Sequence, residues 1–362
     1  MKPLVSILIP AYNAEKWISD TLQSALAQTW PRKEIIVVDD GSTDGTFAVA
    51  RQFASSNVAV VSQQNKGAAA ARNHAFSLSQ GDYIQWLDAD DLLSPEKIAS
   101  QMAAAEEFQN PRMLLSSAWG SFTFRSDVAE FRPTSLWCDL APLEWLIRKM
   151  GQGFHMQTAT WLTSRELLEA AGPWDVTLLS DDDGEYYCRV LLASDGVRFV
   201  PGANVFYRIS PSTRLSHIGQ SNKKKDAMLR SMKLHIKYIR SLEESERVRA
   251  TCMAYMQIWL IHFWPERPDI VRELEALATS LGGRLERPRL RWKYVWMKSL
   301  FGWRAAKWAQ IALPEFKAAC KRQCDEAIFR LKQGRAVGVP SAGAALSSTS
   351  REVRKRFTVS SK

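Results

Sequence analysis

The segment 82–91, DYIQWLDADD, places three carboxylates within four residues, at Asp88, Asp90 and Asp91. Charges of one sign this close repel, so something must offset them. Hard divalent cations take oxygen ligands, and Mg²⁺ is typically held by one or two carboxylates together with substrate phosphates. The apolar run Tyr83, Ile84, Trp86 and Leu87, broken only by Gln85, reads as a buried strand leading into the cluster. In an open α/β sheet such strand ends are where ligands bind. The competing reading is an acidic loop that caps a helix begun by Ser94-Pro95-Glu96, and an isolated Asp-x-Asp is common. A second acidic cluster, Asp181-Asp182-Asp183 with Glu185, reads plainly as a helix start favoured by the helix dipole.

Strands and helices alternate ahead of the first cluster. Residues 5–10 form a β-rich run stopped by Pro10, and 14–28 carry apolar residues at helical spacing. Residues 34–38 read as a second strand, running into Asp39-Asp40-Gly41-Ser42. A helix is expected over 46–55, a strand over 58–61 and an alanine-rich helix with Arg72 and Asn73 over 68–79. This order implies βαβ units and a mostly parallel sheet. The polar residues after successive strands, Tyr12-Asn13, Asp39-Asp40, Asn65-Lys66 and Asp88-Ala89-Asp90, then converge on one cleft. For Asp39-Asp40-Gly41-Ser42 a turn with a helix cap is the plainer reading, and it is compatible with an Asp facing a ligand.

The middle is less regular. Strands are expected at 113–116, 121–124, 158–162 and 197–201, and helices at 143–149 and 164–170, the latter ended by Gly172-Pro173.

At 362 residues, with 46% hydrophobic, the chain can build one large or two ordinary domains. Five scattered cysteines argue against a disulfide framework and for a reducing compartment. The N-terminus lacks the pattern of a signal peptide, and no apolar run reaches the ~18 residues of a membrane span. A cytoplasmic or peripheral location on the inner face of the cytoplasmic membrane is the expectation. Charge is split: residues 1–220 hold 18 Lys+Arg against 25 Asp+Glu, a net −7, and the remainder carries +17. A basic C-terminal part suggests an anionic partner.

The pieces VSILIPAYN, EIIVVDDGSTDGT, NKGAAAARNHA and DYIQWLDADD together resemble an inverting family 2 glycosyltransferase of the GT-A fold. That resemblance implies a Rossmann-like, mostly parallel sheet flanked by helices over 1–220. It implies a nucleotide-diphospho-sugar donor, with UDP-sugars foremost, and Mg²⁺ or Mn²⁺ held by Asp88-Ala89-Asp90, with Asp88 and Asp90 as ligands. Asp39 or Asp40 would bond the base or ribose, and Pro10, Tyr12 and Lys66 would line the nucleotide pocket. Arg72 would sit near the phosphates or brace the acidic loop.

Around the second cluster the family has Glu-Asp with an Arg six residues after that Asp. Arg189 places the pair on Asp182-Asp183, with Asp in place of Glu at 182 and Asp181 as an extra acid. An inverting transferase needs a carboxylate to take the proton of the acceptor hydroxyl, and Asp183 is the candidate, with Asp182 as fallback. Arg208 or His217 falls in the segment that contacts the diphosphate, unless it is a plain surface loop. The acceptor would be a glycan or lipid-linked glycan, in cell-surface polysaccharide, lipopolysaccharide or other glycan synthesis.

Two other classes compete with this reading. A nucleotidyltransferase needs a glycine-rich basic loop after the first strand, and Ala11-Tyr12-Asn13-Ala14-Glu15 has none. A non-catalytic nucleotide-sugar-binding module would not need the second acidic cluster.

The resemblance stops before residue 221. Residues 221–332 read as a basic, Trp-rich helical extension with breaks near 265–268, 282–283 and Pro314, and 333–362 as a disordered basic tail. Trp292, Trp296, Leu300 and Trp303 fall in one stripe at helical spacing beside Lys and Arg. Such a stripe either packs on its own domain, self-associates, or lies on an anionic membrane surface. Nucleic acid is the least favoured partner.

Overall fold

The computed structural model describes residues 1–209 and 221–337; His217 and the expected tail beyond residue 337 lie outside them. Strands and helices alternate as β1 (Val5–Ala11), α1 (Ile18–Leu26), β2 (Lys33–Asp39), α2 (Thr46–Arg51), β3 (Val58–Ser62), α3 (Ala68–Leu78) and β4 (Tyr83–Trp86). There follow β5 (Leu92–Leu93), α4 (Lys97–Phe108), β6 (Met113–Phe122), β7 (Glu130–Phe131), α5 (Pro142–Gln152), β8 (Thr163–Ser164), α6 (Arg165–Ala171), α7 (Asp182–Ala193) and β9 (Gly196–Arg208). Four helices complete the described chain: α8 (Asn222–Leu242), α9 (Glu246–Phe263), α10 (Pro268–Ser280) and α11 (Trp292–Val337).

The first sheet has the order β3-β2-β1-β4-β8, parallel except for β8 at its edge. Both faces are buried, which explains why the strands read as nearly unbroken apolar runs. Val5, Ile7, Ile9, Ile35 and Val37 point into one core, while Leu8, Ile36 and Val38 point into the other. The odd residue in β4, Gln85, is buried because it has partners there. Its amide donates to Ala159 O at 2.8 Å, and its carbonyl oxygen accepts from the buried Lys97 Nζ. With no carboxylate partner among the described residues, burial holds the Lys97 amine well below its usual pKa.

The second sheet, β5-β9-β6-β7, lies beyond the acidic loop. The two short strands expected at 113–116 and 121–124 are one strand, β6, whose pairing with β9 shifts register between Ser117 and Trp119. The strand expected at 158–162 is instead a short 3-10 turn at Thr158–Thr160. The Gln157 side chain accepts from Ala159 N at 2.6 Å and Thr160 Oγ1 donates to Gln157 O at 2.6 Å, so local side-chain bonds displace a ladder there.

Helices α8, α9 and α10 share the larger core with the sheet. Met228, Met232, Ile236, Val248, Met256, Leu260 and Leu274 cluster with Trp86, Trp145 and Trp161. Pro314 sits within α11 rather than ending it. The break comes at Gly302, whose φ of 77° is left-handed and open to glycine without strain.

Candidate active site

The loop after β4 is held from three sides. Thr21 Oγ1 donates to Ala89 O at 3.0 Å, and Arg208 Nε donates to Asp90 O at 2.8 Å. The Asp91 side chain is fully buried and accepts from Arg208 N at 2.8 Å and from Gln157 Nε2. Burial, followed by the nearby charges of Asp90 and Asp88, pushes the Asp91 pKa well above the ordinary carboxylate range. Asp91 is thus an anchor for the loop. The other two acids, Asp88 and Asp90, precede it in the turn.

Arg208 was expected as a diphosphate contact. The structure buries its guanidinium between Trp17 and Phe122, at 4.4 and 4.6 Å, with further bonds to Asp20 and to Thr123 O. Only 2% of the residue is exposed. Arg208 therefore braces the acidic loop from behind.

Arg72 links the two acidic clusters. Its Nη2 donates to Asp88 Oδ1 and its Nη1 to Asp182 Oδ2, each at 2.9 Å, although Asp182 is 110 residues away in sequence. The guanidinium is buried against the Trp174 ring at 4.4 Å. Next to it on α3, Asn73 clamps the Trp174 backbone twice: Nδ2 donates to Trp174 O and Oδ1 accepts from Trp174 N, both at 2.9 Å. Trp174 stacks on Tyr186 at 3.9 Å and meets Trp86 edge-on at 5.5 Å. One turn of α3 thus positions the segment leading into α7. Of the two roles expected for Arg72, this geometry matches the brace.

The three acids at the start of α7 part company. Asp181 is left-handed at φ 56° and accepts from Ser231 Oγ of α8 at 2.6 Å. Its carboxylate folds over Gly184, where a Cβ would lie 2.1 Å from Asp181 Oδ1, so any larger residue there would displace the Asp181 carboxylate. Asp182 turns to Arg72. Asp183 accepts the Gly184 N–H at 2.9 Å and makes no ion pair among the described residues. Burial raises all three pKa values. For Asp182 it outweighs the opposing pull of Arg72, and with Asp183 and Asp88 nearby the value is pushed up to about 6. Arg189, the residue that set the register, points away from these acids. It binds the buried Glu185 through Nε and Nη2, at 2.8 Å each, and Tyr238 donates to the same carboxylate at 2.7 Å.

At the far end of the sheet the two acids of the second loop also separate. Asp40 is spent on the backbone: Oδ1 accepts from Lys66 N at 2.9 Å and Gln63 Nε2 at 2.8 Å, and Oδ2 from Gly67 N at 2.8 Å. Asp39 accepts from Ser42 N and Ser62 Oγ through Oδ2, while its buried Oδ1 has no partner among the described residues. An unpaired buried carboxylate oxygen is costly unless a ligand donor meets it. Pro10 lies near the carboxyl end of β1, Tyr12 is exposed just beyond it, and Lys66 lies in the loop that Asp40 clamps.

Gly41, at φ 70°, lets the two loops touch: a Cβ there would lie 2.9 Å from Asn65 N. Gly41→Ala should therefore lower stability by about 1–3 kcal/mol, read as a reduced denaturant midpoint at unchanged slope.

A divalent cation fits the oxygens of Asp88 and Asp90 in kind. Among the described residues no group of three or more His, Cys, Asp and Glu forms a complete metal cage. Two carboxylates are a donor set that Mg²⁺ commonly takes when phosphates complete its shell. Asp20, Asp91, Gln157 and Ser231 gave no sequence signal of their parts, because each acts on a partner distant in the chain.

The family described as Glycosyl transferase family 2 matches residues 6–111. The UDP-Glc:alpha-D-GlcNAc-diphosphoundecaprenol beta-1,3-glucosyltransferase WfaP of Escherichia coli is 43% identical over 100 residues, covering 27% of this chain and 40% of that protein. Chondroitin synthase of Escherichia coli is 45% identical over 98 residues, 26% of this chain and 14% of that one. The chain thus spans well under half the length of these curated relatives. Two solved structures share the fold over most of their length. S. aureus TarS 1-349, in complex with UDP-GlcNAc, superimposes with a TM-score of 0.61 at 18% identity, covering 84% of this chain and 91% of that one. The mannosyltransferase PcManGT from Pyrobaculum calidifontis, in complex with GDP-Man and Mn²⁺, gives 0.51 at 17% identity, covering 90% and 88%. With its strand-end acids and parallel sheet, this chain carries a segment, residues 6–111, that matches glycosyl transferase family 2, and it has the GT-A fold.

Proposed function

We propose that this protein is an inverting glycosyltransferase that moves a sugar from a nucleotide-diphospho-sugar to an acceptor hydroxyl. The observation that carries the reading is the Arg72 bridge, which joins Asp88 of the strand-end loop to Asp182 at the start of α7. It sets a site for a leaving diphosphate beside a cluster of carboxylates that burial makes more basic. The UDP-Glc donor of WfaP and the UDP-GlcNAc bound to TarS support a UDP-sugar as donor, and the diphosphoundecaprenol-linked acceptor of WfaP supports a lipid-linked glycan as acceptor.

In this reading Asp183 takes the acceptor hydroxyl proton. The acceptor oxygen bonds to the anomeric carbon from the face opposite the diphosphate, and the electron pair of the broken C–O bond leaves on the diphosphate. Asp182 is held by Arg72, which makes Asp183 the better placed base. Mg²⁺ or Mn²⁺ held by Asp88 and Asp90, when bound, neutralises charge on the diphosphate. Asp39 Oδ1 meets an N–H of the base, and Tyr12, Pro10 and Lys66 form the wall around it. Residues 1–220 are the catalytic unit, supported by the helices of 221–332 through α8, whose Ser231 holds Asp181.

The two loop acids give a direct test. Asp39→Ala should abolish most of the thermal stabilisation that UDP confers, with a smaller drop in the unliganded melting temperature than Asp40→Ala gives, since only the longer bonds from Ser42 N and Ser62 Oγ are lost. Asp40→Ala should lower the unliganded melting temperature, since three donors lose their acceptor. Equal UDP shifts in the parent and Asp39→Ala would remove Asp39 from the donor site. A transfer assay with UDP-sugars, reading the anomeric configuration of the product, tests the activity itself; a retained configuration would exclude the inverting reaction.

A further inference from the structure

The first turns of α11 carry an unpartnered face. Tyr294 packs inward at 6% exposure, and directly opposite it Trp292, Val295, Trp296 and Leu300 stand outward, with Trp292 at 87% and Leu300 at 69%. Their spacing of three and four residues puts them on one stripe. The expected continuation through Trp303 does not occur, because the chain turns at Gly302 and Trp303 is half-buried. Beyond that turn Trp308 and Phe316 are again exposed, at 67% each. Residues 287–314 hold seven Lys and Arg and no Asp or Glu. Of these, Lys307 turns inward to Glu266, Arg287 lies over Trp264, Arg289 pairs with Glu286 and Lys298, one turn beyond Tyr294, lies over Trp303, while Arg291, Lys293 and Arg304 stand exposed along the same stretch.

We propose that this face of α11 docks on an anionic phospholipid bilayer, lying in the headgroup layer. Three features select that occupant. Tryptophan favours the interface, and flanking Lys and Arg reach lipid phosphates from it. Exposed aliphatic groups such as Val295 and Leu300 have no use in binding a phosphate backbone, which sets nucleic acid aside. A second copy paired about a two-fold axis would press this cationic surface against itself, and like charges would oppose the contact. No helix among the described residues is long and apolar enough to cross a membrane, so the contact lies on the surface.

The far half of α11 gives the face a fixed orientation. Asp325 accepts from Phe124 N at 2.9 Å, Arg125 Nε at 2.6 Å and Thr123 Oγ1, and Phe329 meets Phe124 at 5.8 Å. Thr123 is also bonded to Arg208, the brace of the acidic loop. The docking face is therefore tied to the rim of the cleft. It does not depend on the transferase reading, since a chain without that activity would still bind lipid through α11.

Flotation of the full chain tests the proposal, using phosphatidylcholine vesicles with and without phosphatidylglycerol. The parent should float with the phosphatidylglycerol vesicles at low salt and stay behind with pure phosphatidylcholine. Trp292→Ser/Trp296→Ser should weaken the partition on the order of tenfold or more. Lys293→Gln should weaken it about fivefold, with melting temperatures unchanged because all three side chains are exposed. A parent that remains in the dense fraction with both vesicle types overturns the proposal, as do variants that float like the parent. Light scattering that shows a dimer lost in Trp292→Ser/Trp296→Ser, without flotation, would assign the face to a second copy instead.

Discussion

Asp183→Asn should reduce turnover of glycosyl transfer by about 10²–10⁴-fold, the range for loss of a general base, while UDP still raises the melting temperature as in the parent. The substitution keeps the shape and the hydrogen bond from Gly184 N and removes the proton acceptor. Burial holds the Asp183 pKa above the ordinary carboxylate value, with the charge of Asp181 adding to it. The sign of the pH dependence follows. A base must be ionised, so a raised pKa makes turnover fall as pH drops through that raised value, at a higher pH than an exposed aspartate would give. The Asp182 carboxyl, pushed up to about 6, feels the charge of its neighbour Asp183, so the acid limb should report the pair. Asp182→Asn acts differently. It removes one of the two anions on Arg72, so its main cost should be in stability and in the placement of α7. Normal turnover in Asp183→Asn, together with a large loss in Asp182→Asn at unchanged stability, would move the base to Asp182.

Asp90→Asn should lose nearly all transfer with little change in melting temperature. The backbone carbonyl of Asp90 is what Arg208 holds, and it survives the substitution. Removing one of two carboxylates from a cation site, or removing the cation with a chelator, takes away charge stabilisation of the leaving diphosphate. Losses of this kind are worth several kcal/mol of barrier. Chelator should reproduce the effect in the parent, with recovery on adding Mn²⁺ or Mg²⁺. Full activity in chelator would show that Asp88 and Asp90 act without a metal. Asp91→Asn is the informative contrast. Its carboxyl is buried, with its pKa raised, and serves Arg208 N and Gln157. That change should touch stability first.

Much of the architecture was legible in the sequence. Strand and helix alternation over the first hundred residues was expected from local periodicity and held, as did the parallel sheet. The acids at the strand ends needed only that topology to be brought to one edge. Errors came where a local pattern admitted two outcomes. Residues 158–162 have strand composition, yet Gln157 and Thr160 satisfy their own backbone and form a turn. Pro314 looked like the breaker of α11, but Gly302 adopts the left-handed conformation that breaks it.

What the sequence determined by itself was the set of acidic and polar residues at the strand ends, the family they resemble and the basic, Trp-rich character of the last part. These are encoded in residue type and near-neighbour spacing. Which acid does what was decided only by tertiary structure. Asp39 and Asp40 are adjacent, as are Asp182 and Asp183, and side-chain chemistry cannot tell them apart. They differ because Asp40 meets the backbone of the loop after β3 and Asp182 meets Arg72 of α3. The direction of the Trp292 stripe was decided in the same way. Helical spacing defines a face, and only the packing of Tyr294 against the rest of the chain determines that this face points to the outside.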